Sequence, residues 1–171
     1  MKPSHLLPTL LLAFGLAAGV SSAIAESAKS NPRAIVVEDI SRADFAGTVS
    51  ALKTQLAADG WNLVAEIDLG ARLTKKSVNL PGGLVILELT SGGATIPLLK
   101  NESTRYIAGL MPCSVSVYGM DDGRVVVSRM NAKAMAGMME PKVGDVLKQS
   151  AARLDASIAA ALAKAGNRPA P

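Results

Sequence analysis

The stretch Gly109-Leu-Met-Pro-Cys-Ser-Val-Ser-Val-Tyr118, the turn Asp121-Asp122-Gly123 and the run Arg124-Val-Val-Val-Ser-Arg-Met130 decide how this chain folds. Two runs rich in β-branched residues flank an acidic turn that ends in glycine, a strong β-hairpin signal. Within the first run Cys113, Val115 and Val117 share one face, and Ser114, Ser116 and Tyr118 share the other. The only cysteine of the chain therefore falls on the apolar face, at the mouth of a strand, directly after Pro112.

Upstream of the hairpin the chain reads as strands separated by helical stretches. Ala34 to Ile40 is a strand candidate rich in β-branched residues. Ser41 and Asp44 signal a helix start, and Phe45, Val49, Leu52 and Leu56 form a stripe at helical spacing that Gly60 closes. Trp61 to Asp68 is a second strand, with Leu63, Ala65 and Ile67 inward and Glu66 and Asp68 on the wetter side. Leu69 to Ser77 is a short amphipathic helix with Lys75 and Lys76 outward. Leu84 to Thr90, apolar on both faces apart from Glu88, is a central strand. Thr90-Ser91-Gly92-Gly93 is a flexible strand-to-helix turn; Pro97 interrupts the helix that follows, and the full phosphate-loop pattern is missing.

Downstream, Asn131 caps a short helix carrying Met135, Met138 and Met139. Pro141 then opens a last helix whose stripe is Val143, Val146, Leu147, Leu154, Ile158 and Leu162, ending at Gly166. This order predicts an α+β two-layer sandwich: a mixed sheet of about five strands with two main helices on one face.

The N-terminus reads differently. A short basic start, an apolar run to Val20 and the small residues Ala23-Ile24-Ala25 make residues 1–25 a signal peptide. Pro8 and Gly15 shorten the apolar segment below the ~20 residues that a membrane span needs, so no anchor is expected after cleavage. Residues 26–33 form a disordered leader, 34–166 one domain, and 167–171 a loose tail. The chain is thus expected to be periplasmic or secreted.

Composition narrows the chemistry. The whole chain carries +4, and losing Lys2 leaves +3, with no dense basic run and few aromatic residues for base stacking; nucleic acid is not an expected partner. The only histidine is His5, inside the signal peptide. Its loss removes Ser-His-Asp and Cys-His catalysis, histidine zinc sites and proximal-histidine haem.

Three features could still carry a site. Cys113 is either a small buried hydrophobe, a disulfide partner between chains, or a nucleophile activated by Arg105, Arg124 or Arg129. Met111, Met120, Met130, Met135, Met138 and Met139 cluster in sequence around it. They serve either as pliable packing or, with Met111, Met135 and Met138 joining Cys113, as soft ligands for Cu(I). Glu88, a carboxylate in an apolar strand, either pairs with a helix Lys or Arg or lines a pocket. Glu88, Met111, Cys113, Tyr118, Met130 and Met135 are the ligand-binding candidates.

The run Ile107 to Tyr118, the Asp122-Gly123 turn, Ser128-Arg-Met-Asn131 and the Met-rich helix resemble the bacterial domain-of-unknown-function 302 family, over roughly Ile35 to Leu162. The resemblance implies a small α/β fold, often homodimeric, with no assigned activity. Where that family commonly has Cys-Asn-Pro after the Glu-bearing strand, this chain has Thr90-Ser91-Gly92, so a second thiol and a disulfide there are ruled out. The leading expectation is an exported, non-catalytic binding or interaction protein that forms a homodimer and takes a small hydrophobic or soft ligand. The alternatives are a thiol-based sulfur carrier, transferase or redox protein using Cys113, and a Cu(I)-binding protein.

Overall fold

The computed structural model describes residues 35–166; the signal-peptide, leader and tail assignments lie outside the described residues. Five strands, β1 (Val36–Ser41), β2 (Asn62–Asp68), β3 (Leu84–Thr90), β4 (Cys113–Gly119) and β5 (Val125–Met130), form one sheet in the order β1-β5-β4-β3-β2. The main helices are α1 (Phe45–Ala58) and α5 (Pro141–Gly166); shorter ones are α2 (Leu69–Thr74), α3 (Gly92–Lys100) and α4 (Ala132–Ala136), with a 3-10 segment at Glu102–Leu110.

Strand alternation sets the two layers. Val85, Leu87 and Leu89 of β3, Val115 and Val117 of β4, and Val125 and Val127 of β5 share a face that packs against Leu52 and Leu56 of α1 and Leu154, Ile158 and Ala161 of α5. Seven of these leucine, isoleucine and valine side chains are at most 1% exposed, and each contributes on the order of 1.5–3 kcal/mol by leaving water. The opposite face mixes Ser114, Ser116, Tyr118 and Glu88 with apolar residues, and leaves Val36 and Ile40 of the edge strand exposed. The two-layer α+β expectation is therefore met.

The sheet is antiparallel throughout rather than mixed. β1, α1 and β2 do make a crossover that runs both strands the same way, but β5, β4 and β3 lie between them. No two parallel strands are left adjacent.

The β4–β5 hairpin forms as its sequence dictates. Gly123, at φ +84°, takes the left-handed position, its amide donates to the Met120 carbonyl at 3.0 Å, and the Met120 amide donates to the Arg124 carbonyl. Asp44 caps α1 by accepting from the Gly47 amide, and Asn131 caps α4 by accepting from Ala134.

Two local readings change. In β2 a bulge at Val64 makes Leu63 and Ala65 face consecutive residues of β3, which inverts the alternation beyond it. Ala65 and Ile67 turn to the open face; Glu66 and Asp68 turn to the helix side, where Lys53 of α1 bonds Glu66 and the Ala71 amide bonds Asp68. In α3, Pro97 sits inside the helix rather than ending it. Its missing amide leaves only the Gly93 carbonyl, four residues back, without a helical donor.

Candidate functional site

Antiparallel pairing brings the start of β1, the start of β2, the end of β3, the start of β4 and the end of β5 to one end of the sheet. There the helix layer is completed by α3, the 3-10 segment and α4. Leu98, Ile107 and Val143 form a second small core beneath them, with Met111, Met139, Val146 and Leu147 packed on it. Between this cap and the main core lies a small cleft of about 60 Å³. Its walls are mainly apolar, with Leu89, Leu98, Leu147 and Leu154 among them; Trp61, Cys113, Arg129, Lys133 and Asp155 supply the polar edge.

Cys113 reaches the cleft because the register places it opposite Leu89 on the helix side of the sheet, as the alternation predicts. Burial pushes its thiol pKa up, and the carboxylate of Glu88 pushes it further in the same direction. That is the reverse of what an activated thiolate requires. Arg129, the only one of the three candidate activating arginines that lines the cleft, does not lower it. Its guanidinium is taken up elsewhere.

Arg129 lies diagonally from Cys113, opposite Val115, with its side chain only 7% exposed. Nη1 donates to Asp39 of β1 at 2.6 Å, and Nε and Nη2 both approach Asp155 Oδ1 of α5 at 2.8 Å. Lys133 of α4 donates to the other oxygen of Asp155 at 2.7 Å. Two cations and two carboxylates thus close on themselves and tie β1, β5, α4 and α5 together along one side of the cleft. Burial works to raise the Asp155 pKa, but hydrogen bonds from Lys133 and Arg129, with their charges, outweigh it and hold the carboxyl below its ordinary range.

The other side of the cleft is formed by Trp61 and Ser91. Trp61 follows the left-handed Gly60 that ends α1, and it is 4% exposed. Its Nε1–H is the one buried side-chain polar atom without a partner among the described residues. A buried donor left unpaired costs about 1–3 kcal/mol, so this atom needs an explanation. Arg153 of α5 lies over the indole, 5.7 Å from the ring centroid.

The cleft brings together Met111, Cys113 and Met130 from the sequence candidates. The other three ligand candidates stay out of it. Glu88 points to the open face, where the Ser114 hydroxyl donates to its carboxylate, 2.9 and 3.1 Å from the two oxygens. No lysine or arginine pairs with it among the described residues, which corrects the expected ion pair: its neighbours on that face are a serine and the polar side of β4. Tyr118 also lies on the open face, with its hydroxyl donating to Glu38. Met135 does not line the cleft, and Met138 is 72% exposed, so the proposed sulfur set of Cys113, Met111, Met135 and Met138 is not assembled there. Among the described residues no group of three or more His, Cys, Asp or Glu converges on a point where it could hold a metal ion.

Sequence reasoning missed Trp61, Ser91, Asp155 and Lys133 as site residues. The lone Trp beside a helix-ending glycine was the signal for the first; the others become neighbours only through tertiary structure.

Residues 37–164 match the model of the family described as Domain of unknown function DUF302. A crystal structure of an uncharacterized conserved protein DUF302 from Bacillus stearothermophilus has the same fold, with a TM-score of 0.67 and 18% identity, covering 74% of this chain and 98% of that one. No curated protein matches the chain. Among the described residues no helix is long and apolar enough to cross a membrane.

Proposed function

The chain belongs to the DUF302 family, and from its cleft we propose that it is a non-catalytic binding protein that takes up a small apolar molecule at the capped end of the sheet. The observation that carries this is the cleft itself: aliphatic walls from sheet and cap, with few polar groups at defined points, fit a small-molecule site. Two facts argue against turnover. The Cys113 thiol is held in its neutral form, and Arg129, Lys133, Asp39 and Asp155 are bound to one another rather than presented to a substrate. The sulfur-carrier reading loses its activated thiolate, and the Cu(I) reading loses two of its four ligands.

The reading is tested with the neutral fluorophore N-phenyl-1-naphthylamine. Saturable binding of one dye per chain, abolished by Ala151→Trp with its side chain filling the cleft, is the expected result. Non-saturable binding, or equal binding by a folded Ala151→Trp protein, would refute it.

The open sheet face favours self-association as a second property: Val36 and Ile40 are 38% and 57% exposed on an edge strand. We propose a homodimer through this face. Light scattering at micromolar concentration should give twice the chain mass, and Ile40→Glu should return it to one. Export to the periplasm is the proposed setting, tested by sequencing the N-terminus of the protein recovered from cells, which should begin near Glu26.

A further inference from the structure

Most polar side chains in the wall of the cleft are already engaged. Arg129, Lys133 and Asp155 bind one another. Ser91 Oγ accepts from Arg153, the Ser114 hydroxyl donates to Glu88, and Asn131 Oδ1 accepts from the Ala134 amide. The Trp61 Nε1–H is sealed from the cleft. Three hydroxyls remain, on Thr90, Thr95 and Ser150. Strand alternation sends Thr90 to the open face with Glu88. Thr95 of α3 and Ser150 of α5 are therefore the two that the helix layer gives to the cleft.

Both depart from the habit of this fold. The threonines of α1 and α2 bond back to a carbonyl four residues earlier: Thr48 to Asp44 at 2.7 Å, Thr54 to Ser50 at 2.9 Å and Thr74 to Gly70 at 3.0 Å. The hydroxyls of Thr95 and Ser150 make no such bond, and neither has a partner among the described residues. For Thr95 the carbonyl in question, that of Ser91, is taken by the amides of Ala94 and of Thr95 itself. Ser150 interrupts the apolar stripe of α5 between Leu147 and Leu154, both of which line the cleft. Both residues are half-buried, which leaves each hydroxyl surface to meet an occupant.

Resting on the reading of the cleft as a ligand site, we infer that its occupant is a short, uncharged aliphatic molecule with a single oxygen head, a hydroxyl or a carbonyl, bonded by Thr95 and Ser150. Serine and threonine hydroxyls both donate and accept, so the pair serves either head. A charged head finds no counterpart. The cations and the carboxylate of the wall are already matched by Asp39 and by one another, and an ion stripped of water without a partner is strongly disfavoured. Leu98, Leu147 and Leu154 take the chain. A volume of about 60 Å³ has room for about four to six non-hydrogen atoms, at roughly 10–15 Å³ for each water-sized position. Nothing covalent follows, and the molecule leaves unchanged.

The test titrates five probes of matched size into ¹⁵N-labelled protein at pH 7: 1-butanol, 2-butanone, sodium butyrate, butylammonium chloride and 1-chlorobutane. The backbone amides of Leu89, Ala94 and Ala151, all in the wall of the cleft, report binding. At least one of butanol and butanone is expected to saturate the site about tenfold or more tightly than either ion, and severalfold more tightly than chlorobutane. The double variant Thr95→Val, Ser150→Ala nearly keeps the shape of the wall. It is expected to erase the preference for oxygen over chlorine while its affinity for chlorobutane stays within about twofold, and its amide spectrum establishes that it folds. Chlorobutane binding as tightly as both oxygen probes, or a double variant that keeps the preference, overturns the oxygen-head inference and leaves the apolar cleft standing. Butyrate or butylammonium matching the better oxygen probe overturns the uncharged ligand in the same way. If none of the five saturates, the inference falls, and the naphthylamine dye decides the cleft reading separately.

Discussion

Replacing Arg129 by Met is the sharpest test of how the cleft is held open. The substitution keeps the apolar stem and removes the guanidinium, whose side chain is 7% exposed between Asp155 at 32% and Asp39 at 42%. Three charge-assisted contacts disappear, each of which contributes about 1.5–3 kcal/mol where it is fully buried. Stranding partners of a buried ion pair costs about 3–5 kcal/mol, which is the upper bound here. Both carboxylates are partly wetted and Lys133 keeps its hold on Asp155, so the expected loss is about 2–3 kcal/mol, read as a shifted urea midpoint with an unchanged slope. The sign with pH is fixed by Asp155. Its folded pKa lies below the ordinary value of 3.8, so the stability it contributes is complete above that value and is lost as pH falls through the lower folded one. The deficit of the variant should therefore be full at pH 7 and smaller at an acidic pH below 3.8, as Asp155 takes up its proton. Arg124→Met, which breaks only the exposed pair with Asp122, should leave the urea midpoint nearly unchanged and serves as the control. A deficit below about 1 kcal/mol at pH 7, or one equal at both pH values, would refute the account of a closed charge network.

Three further outcomes follow from single contacts. The Cys113 thiol, raised above its ordinary 9.0 by burial and by Glu88, should react with a disulfide reagent at pH 8 far more slowly than after unfolding in urea; equal rates would contradict its burial. Because the unfolded thiol loses its proton first, folding stability should also decline as pH rises past about 9 in the wild type and not in Cys113→Ser. Gly144→Ala should cost about 1–3 kcal/mol in urea denaturation, since its Cβ would fall 2.6 Å from the Ala136 carbonyl oxygen where α4 turns into α5. The double variant Met135→Leu, Met138→Leu should bind Cu(I) under reducing conditions no differently from wild type, because neither thioether lines the cleft with Cys113; a tenfold loss would restore those residues as ligands.

The order of strands and helices was legible because its signals are local. Alternation in β4, the glycine at position 123 and the stripes of α1 and α5 each act over a few residues, and tertiary packing agrees with all of them. Where the reading failed, a longer-range term decided. The alternation in β2 holds for the strand alone, but pairing with β3 inserts a bulge at Val64 and sends Glu66 to the helix side, where Lys53 waits. A mixed sheet followed from taking strands joined by a helix as neighbours, whereas three strands that come later in the chain slot between β1 and β2.

The site was less legible for the same reason. Cys113, Met111 and Met130 flank one hairpin, so their convergence is a property of β4 and β5 and their immediate flanks. Trp61, Ser91 and Asp155 come from the chain before β2, the residue after β3 and the middle of α5. No periodicity encodes such a meeting. Residue type alone then misleads: Glu88 attracts notice as a carboxylate among apolar neighbours, yet its strand position turns it away from the cleft, while a tryptophan that looks like ordinary core carries, among the described residues, the one buried side-chain polar atom with nothing to bond. The sulfur atoms mark where the cleft lies, and the polar groups at its edge come from elements that only the closed fold places beside them.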